Sequence, residues 1–169
     1  MKIRVETEAD VRAIEAVTIA AFLNAPHTSH SEQHIVNALR RAGKLAVSLV
    51  AEADGAVIGH VAASPVSISD GTEGWLGLGP VSVLPQYQRR GIGSRLVREA
   101  LRLAREGGAS GCVVLGDPEY YGRFGFRVSP GLGLPGVPPE YFQVMSFNSA
   151  QPRGIVSYDD AFEAAANSP

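Results

Sequence analysis

The residues best placed to do chemistry in this chain lie in one run, Val81-Ser82-Val83-Leu84-Pro85-Gln86-Tyr87-Gln88-Arg89-Arg90-Gly91-Ile92-Gly93-Ser94-Arg95. An apolar strand breaks at Pro85, passes through a turn holding two glycines, and launches an arginine-rich helix. Such a turn gathers backbone N–H groups, and the helix N-terminus favours negative charge, so the stretch reads as a grip for an anion. Two phosphate loops do not fit. A Walker loop needs lysine after its second glycine, where Ser94 stands. A dinucleotide fingerprint needs Gly or Ala three residues after Gly93, where Leu96 stands, and no acidic ribose partner follows at the expected distance.

Elsewhere the reactive residues are sparse. The single cysteine, Cys112, excludes an internal disulfide and a cysteine-based zinc cage. His27, His30 and His34 have neither a cysteine nor a carboxylate set at ligand spacing, so no metal is expected. The formal net charge of -2 gives no reason to expect nucleic acid or an anionic membrane as partner. Six of the 15 basic residues (Arg89, Arg90, Arg95, Arg98, Arg102 and Arg105) nonetheless gather on or just before one helix. The stripe Arg95, Arg98, Arg102 and Arg105 reads first as a solvated face. With 169 residues, 45% of them hydrophobic, the chain suits one well-buried core. Met1 runs almost at once into a strand and no apolar run could span a bilayer, so a cytoplasmic protein with no signal peptide is expected.

The elements that must position the run follow from periodicity. Lys2 to Glu6 alternates as a strand. A helix begins near Thr7 and presents Val11, Ile14, Val17 and Phe22; a second opens on Ser29 and Glu32 and ends at Gly43. Ala46–Glu52 and Ala56–Ile68 are strands joined through Asp54-Gly55, with Pro65 pointing to a bulge or edge. Trp75–Leu84 is a third strand. Ile92, Leu96, Val97, Ala100, Leu101 and Ala104 form one face of the central helix, which stops at Gly107-Gly108. Gly111–Leu115 is apolar throughout, and strand, helix, strand implies a right-handed parallel crossover. A short helix from Pro118 carries Tyr120 and Tyr121. Strands follow at Phe124–Val128 and Tyr141–Phe147, then a short strand at Gly154–Tyr158 and a terminal helix. The class is mixed α+β with one parallel crossover.

Gln88-x-x-Gly91-x-Gly93, preceded by Val81-Ser82-Val83, resembles the acetyl-coenzyme A motif of the GNAT superfamily of N-acetyltransferases. Element order agrees from about Ile3 to Phe147, and Tyr121-Gly122-Arg123-Phe124-Gly125-Phe126 is similar to the family's Tyr-x-x-x-Gly-Phe segment. Together with Gly116-Asp117-Pro118-x-Tyr120-Tyr121, these most resemble the YhbS-like bacterial branch. The resemblance implies a GNAT-type, mostly antiparallel twisted sheet of about seven strands. Residues 1–150 would be one N-acetyltransferase domain and 151–169 an extension packed on it.

By that resemblance, backbone N–H groups of Gln88, Arg89, Arg90, Gly91, Ile92, Gly93 and Ser94 would hold the pyrophosphate of acetyl-CoA, with Arg89 and Arg90 near its phosphates. The backbone of Val81, Ser82 and Val83 would pair with the pantetheine arm. The implied reaction is direct attack of a primary amine, on a small molecule or a protein, with Tyr121 as general acid for the departing thiolate. Tyr120, about 100° round the same helix, is expected to face elsewhere. The carboxylate that many relatives carry before the motif is missing from Trp75-Leu76-Gly77-Leu78-Gly79-Pro80. That leaves His60, Glu73 or a water relay as the base, and His27, His30 and His34 as candidate lining of an acceptor pocket. The same gap motivates an alternative, a catalytically silent acetyl-CoA-binding sensor. The resemblance leaves a homodimer open, for which Tyr141, Phe142 and Val144 offer an apolar surface.

Overall fold

The computed structural model describes residues 1–26 and 28–166. β1 (Lys2–Val5) leads through a 3-10 turn into α1 (Val11–Phe22), and α2 (Glu32–Arg41) follows. β2 (Val47–Ala53) and β3 (Ala56–Pro65) form a hairpin, with a two-residue β4 (Ser67–Ile68) behind it. β5 (Trp75–Val83) enters a 3-10 turn at Pro85–Tyr87 and then α3 (Ile92–Glu106). The chain continues through β6 (Gly111–Leu115), α4 (Pro118–Gly122), β7 (Leu132–Gly133), β8 (Phe142–Ser146), β9 (Gly154–Ser157) and α5 (Asp160–Ala166). The hairpin turn is the one Asp54-Gly55 dictates: both residues take positive φ, 51° and 79°, matching the twist of the flanking strands.

The main sheet has six strands in the order β1-β2-β3-β5-β6-β8. Every pairing in it is antiparallel except β5 with β6, the crossover bridged by α3. The expected α+β class with one parallel crossover is therefore the observed one. The other strands form a second, three-stranded sheet, β4-β9-β7, instead of extending the first. Residues after Ala150 thus return across the molecule: β9 lies between β4 and β7, and Ala161 and Phe162 of α5 pack on Ile35 and Leu39 of α2.

One face of the main sheet is covered by α3, whose Ile92, Leu96, Val97, Ala100, Leu101 and Ala104 are all buried. Leu96 and Val97 are fully enclosed, so each contributes roughly 1.5–3 kcal/mol by leaving water. α1 and α2 cover the opposite face with Ile14 and Val36 against Val50. Gly111 opens β6 where Trp75 crosses over it. A Cβ there would lie 2.4 Å from Trp75 Cη2 and 2.6 Å from the Met145 carbonyl oxygen. Because one of these neighbours is paired backbone, Gly111→Ala is expected to destabilise by about 3 kcal/mol. Thermal unfolding should register this as a fall in Tm of roughly 6–12 °C; an unchanged Tm would mean the strand is not held against Trp75.

Local readings needed four corrections. Phe124–Val128 is not a strand; only Arg127 bridges to Val144, because Gly125 takes φ 106° and turns the chain. Pro65 simply ends β3, while the register shifts sit at Ala51/Glu52 and Val61/Ala63. The N-cap of α2 is Ser31 rather than Ser29, whose hydroxyl instead donates to Glu32. Of the apolar surface proposed for a partner copy, Phe142 is buried in the core and only Tyr141 is exposed.

Candidate active site

The geometry of the site begins where β5 and β6 part. Their pairing covers only Trp75–Leu78 against Gly111–Val114. Beyond it, Gly79 and Pro80 together oppose Ala62 of β3, a bulge that turns β5, and Pro80 has no N–H to give. Leu84 N–H donates to the Ile58 carbonyl at 2.9 Å. Antiparallel alternation then makes Ser82 and His60 the other bonded pair, and turns the N–H and C=O of Val81 and Val83 away from β3. They face the gap left by β6. One of these groups is already engaged: Gln88 Nε2 donates to the Val83 carbonyl at 3.0 Å, tying the turn to the strand.

The gap opens into a cleft of about 510 Å³ lined by Val81, Val83, Tyr87, Gln88, Arg89, Gly91, Ile92, Gly93, Ser94, Tyr120, Tyr121 and Arg123. Gly91 caps α3 in a left-handed conformation at φ 81°, and Arg89 also has positive φ, 63°. The first intrahelical bond closing this end is Arg95 N–H to Gly91 C=O, at 3.1 Å. The N–H groups of Ile92, Gly93 and Ser94 therefore have no partner within the helix and add to the positive end of its dipole.

Tyr121 stands across the cleft on α4, a helix started by Pro118 and capped by Asp117, which accepts from Glu119 N–H at 2.9 Å. The Tyr121 ring packs against Gly116, where a Cβ would come within 2.4 Å of Cε2, and meets Phe126 edge-on at 6.0 Å. Burial, with smaller contributions from Tyr120 and Asp117, pushes its phenol up to about 12. It is fully protonated at neutral pH and can donate but not accept a proton there.

Most of the residues singled out from the sequence meet here, and some do not. Ser82 turns its side chain to the opposite face, 1% exposed. Arg90 does not line the cleft; its guanidinium lies 5.4 Å over the Tyr87 ring. Tyr120, expected to face elsewhere, lines the cleft: a Cβ on Gly93 would sit 3.0 Å from its hydroxyl. The cleft wraps the end of a helix only five residues long, so a 100° step does not carry a long side chain out of reach. Tyr87 and Arg123 also line it and had no sequence signal beyond their proximity to the motifs. Arg123 stacks 4.7 Å over the Tyr120 ring.

The remaining candidates are elsewhere. Glu73 borders a separate cleft of about 620 Å³ at the C-terminal end of α3, the end remote from the glycine turn. His30 and His34 are exposed on and before α2, and His27 lies outside the described residues. Among the described residues, no three His, Cys, Asp or Glu side chains cluster as a metal site would require. Burial pushes the Cys112 thiol up to about 12, so it stays unreactive. Arg102 pairs with Glu99 and Glu106, while Arg98 and Arg105 stack on Phe124 and Phe147. His60 is buried and bonded to Ser48. No helix among the described residues is long and apolar enough to cross a membrane.

The model of the acetyltransferase (GNAT) family matches residues 13–126. The uncharacterized N-acetyltransferase YhbS of Escherichia coli K12 is 39% identical over 130 residues, covering 76% of this chain and 75% of its own length. The crystal structure of a GNAT family acetyltransferase from Brucella melitensis, in complex with acetyl-CoA, is 48% identical with TM-score 0.85, over 95% of this chain and 97% of that one. That of E. coli YhbS in complex with CoA is 34% identical with TM-score 0.85, over 96% of this chain and 91% of that one. On the family match and these identities, the chain belongs to the acetyltransferase (GNAT) family.

Proposed function

We propose that the protein transfers an acetyl group from acetyl-CoA to a primary amine, by direct attack in a ternary complex. The observation that carries this is the outward-facing backbone of Val81 and Val83, running straight into the unpaired N–H groups of α3. An extended amide-bearing arm can pair with such an edge while a diphosphate sits at its far end. Acetyl-CoA has that shape and charge, and similar proteins from B. melitensis and E. coli hold acetyl-CoA and CoA. Gly91 and Gly93 let the backbone approach the phosphates, and Arg89 supplies a charge on the cleft wall. The thioester carbonyl then reaches the freed strand edge, where a backbone N–H stabilises the developing oxyanion by roughly 3 kcal/mol.

Tyr121 serves the leaving group. A phenol near 12 is a weaker acid than a thiol near 8.5, so its first contribution is a hydrogen bond to the sulfur as charge develops. Proton transfer follows as the C–S bond breaks. Free-thiol release from acetyl-CoA, with spermidine, ethanolamine, phenylethylamine and short peptides bearing a free N-terminus or lysine, tests the reading. Turnover on at least one amine is expected. Tight acetyl-CoA binding with turnover on none would replace it by the sensor reading.

A further inference from the structure

A second cleft, of about 410 Å³, runs beside α3, walled by Arg98, Arg102 and Arg105 of that helix and by Arg123 and Phe124 just after α4. The one carboxylate on its wall, Glu106, is bound by Arg102 Nη1 at 2.7 Å, and Arg102 also holds Glu99, so that guanidinium is already neutralised. Arg98, Arg105 and Arg123 have no carboxylate at ion-pair distance among the described residues. Each instead lies over an aromatic ring: Arg98 over Phe124 at 5.1 Å, Arg105 over Phe147 at 4.7 Å and Arg123 over Tyr120 at 4.7 Å. A ring face steadies a guanidinium while leaving its N–H donors free for an anion. In a chain of net charge -2, this is a local concentration of unspent positive charge.

The groove continues the donor cleft. Arg123 lines both. Phe124, which carries Arg98, meets Tyr120 of the donor cleft edge-on at 5.3 Å. On α3 itself, Ser94 lines the donor cleft, and Arg98 follows one turn later on the same face. The four arginines are therefore not equivalent with respect to the glycine turn. Arg98 stands about 10 Å along the helix axis from Gly91, and Arg105 about 21 Å.

We propose that the near end of this groove, Arg98 with Arg123, holds the ribose 3′-phosphate of CoA and makes the site selective for CoA over its 3′-dephospho form. The proposal rests on the acetyl-CoA reading given above. CoA carries two separate anionic groups, the diphosphate and a 3′-phosphate monoester whose second pKa is about 6, so the latter is largely dianionic at pH 7. With the diphosphate on the N-terminus of α3, the monoester is only a ribose away. A ribose and one arginine side chain together span the interval to Arg98, whereas Arg105 is twice as far along the helix. Arg102 is within the groove but spent on Glu99 and Glu106. The planar guanidinium fork matches two phosphate oxygens at once. Arg98 and Arg123 are exposed, so solvent screens each contact and limits it to about tenfold in affinity.

Isothermal titration of the unaltered protein and of Arg98→Gln, Arg123→Gln and Arg105→Gln, each with CoA and with dephospho-CoA, tests this. The unaltered protein should bind CoA at least about tenfold more tightly than dephospho-CoA. Arg98→Gln should lose about five- to tenfold for CoA and less than about twofold for dephospho-CoA, because its side chain lies outside the donor cleft. Arg123→Gln should also narrow the preference, with some loss for both ligands since Arg123 borders the donor cleft itself. Arg105→Gln should leave the preference as it was. Equal affinity of the unaltered protein for the two ligands, equal losses for both in Arg98→Gln, or a preference abolished by Arg105→Gln would each overturn the inference while leaving acetyl transfer standing. A preference that depends on Arg98 in a protein acetylating no amine would overturn the transfer reading alone. Failure of the unaltered protein to bind CoA at all would overturn both.

Discussion

Replacing Tyr121 by Phe is expected to lower kcat about a hundredfold or more while leaving the Kd for acetyl-CoA within about threefold of its original value. The split follows from how the ring is held. Its packing against Gly116, Phe126 and Phe124 belongs to the aromatic ring, which Phe reproduces. The hydroxyl makes no hydrogen bond among the described residues, so its removal orphans no buried group and should leave Tm almost unchanged. What is lost, on the proposed mechanism, is the donor for the departing sulfur. Because the phenol lies near 12, the unaltered protein should show no basic limb from Tyr121 below about pH 10. Tyr120 meets Tyr121 edge-on at 5.0 Å and shares the cleft, so Tyr120→Phe is the necessary comparison. Stopped-assay thiol release with isothermal titration would decide. If Tyr121→Phe keeps full turnover while Tyr120→Phe loses it, the acid is Tyr120.

Placing a carboxylate in the turn should be as severe, but for binding. Gly93→Glu is expected to weaken acetyl-CoA at least about a hundredfold, on the order of 3 kcal/mol, because a like charge would face the diphosphate. Backbone strain is not the cause, since Gly93 has helical geometry and α3 tolerates glutamate well. Gly93→Ala provides the scale. Its Cβ would meet the far end of the Tyr120 side chain at 3.0 Å, which can swing aside, and Val83 Cγ2 at an ordinary 3.8 Å, so a loss of about tenfold or less is expected. Gly93→Glu binding within threefold of the original would mean that the phosphates sit elsewhere.

The glycine-turn half of the candidate site was legible in the sequence because it is local. Val81 to Ser94 are contiguous, and strand, proline break, glycine turn and helix start are set by neighbours a few residues away. The same holds for the buried stripe of α3 and for the Asp54-Gly55 hairpin. Readings failed where a residue's role depends on what faces it. Phe124–Val128 has the composition of a strand but not the partners, and Tyr120 was placed by helical angle without knowledge of how the cleft curves round α4. The small second sheet was hidden because β4 and β7 have two residues each, too few to show a period.

His60 marks the division most clearly. In the sequence it is one histidine in an apolar strand, with nothing nearby to orient it. Only the register of four strands brings Glu6, Ser48, His60 and Ser82 into line, across separations of 42, 12 and 22 residues (6 to 48, 48 to 60, 60 to 82). The sequence by itself determined a glycine turn at a helix N-terminus, a geometry suited to an anion, and the resemblance to an acetyltransferase, because backbone geometry and helix dipole are properties of consecutive residues. Only the tertiary structure decided that β5 parts from β6 beyond Leu78, that Tyr120 joins Tyr121, and that one nitrogen of His60 has no partner among the described residues. Those depend on long-range pairing, and hydrogen-bond saturation can be counted only once every partner is in place.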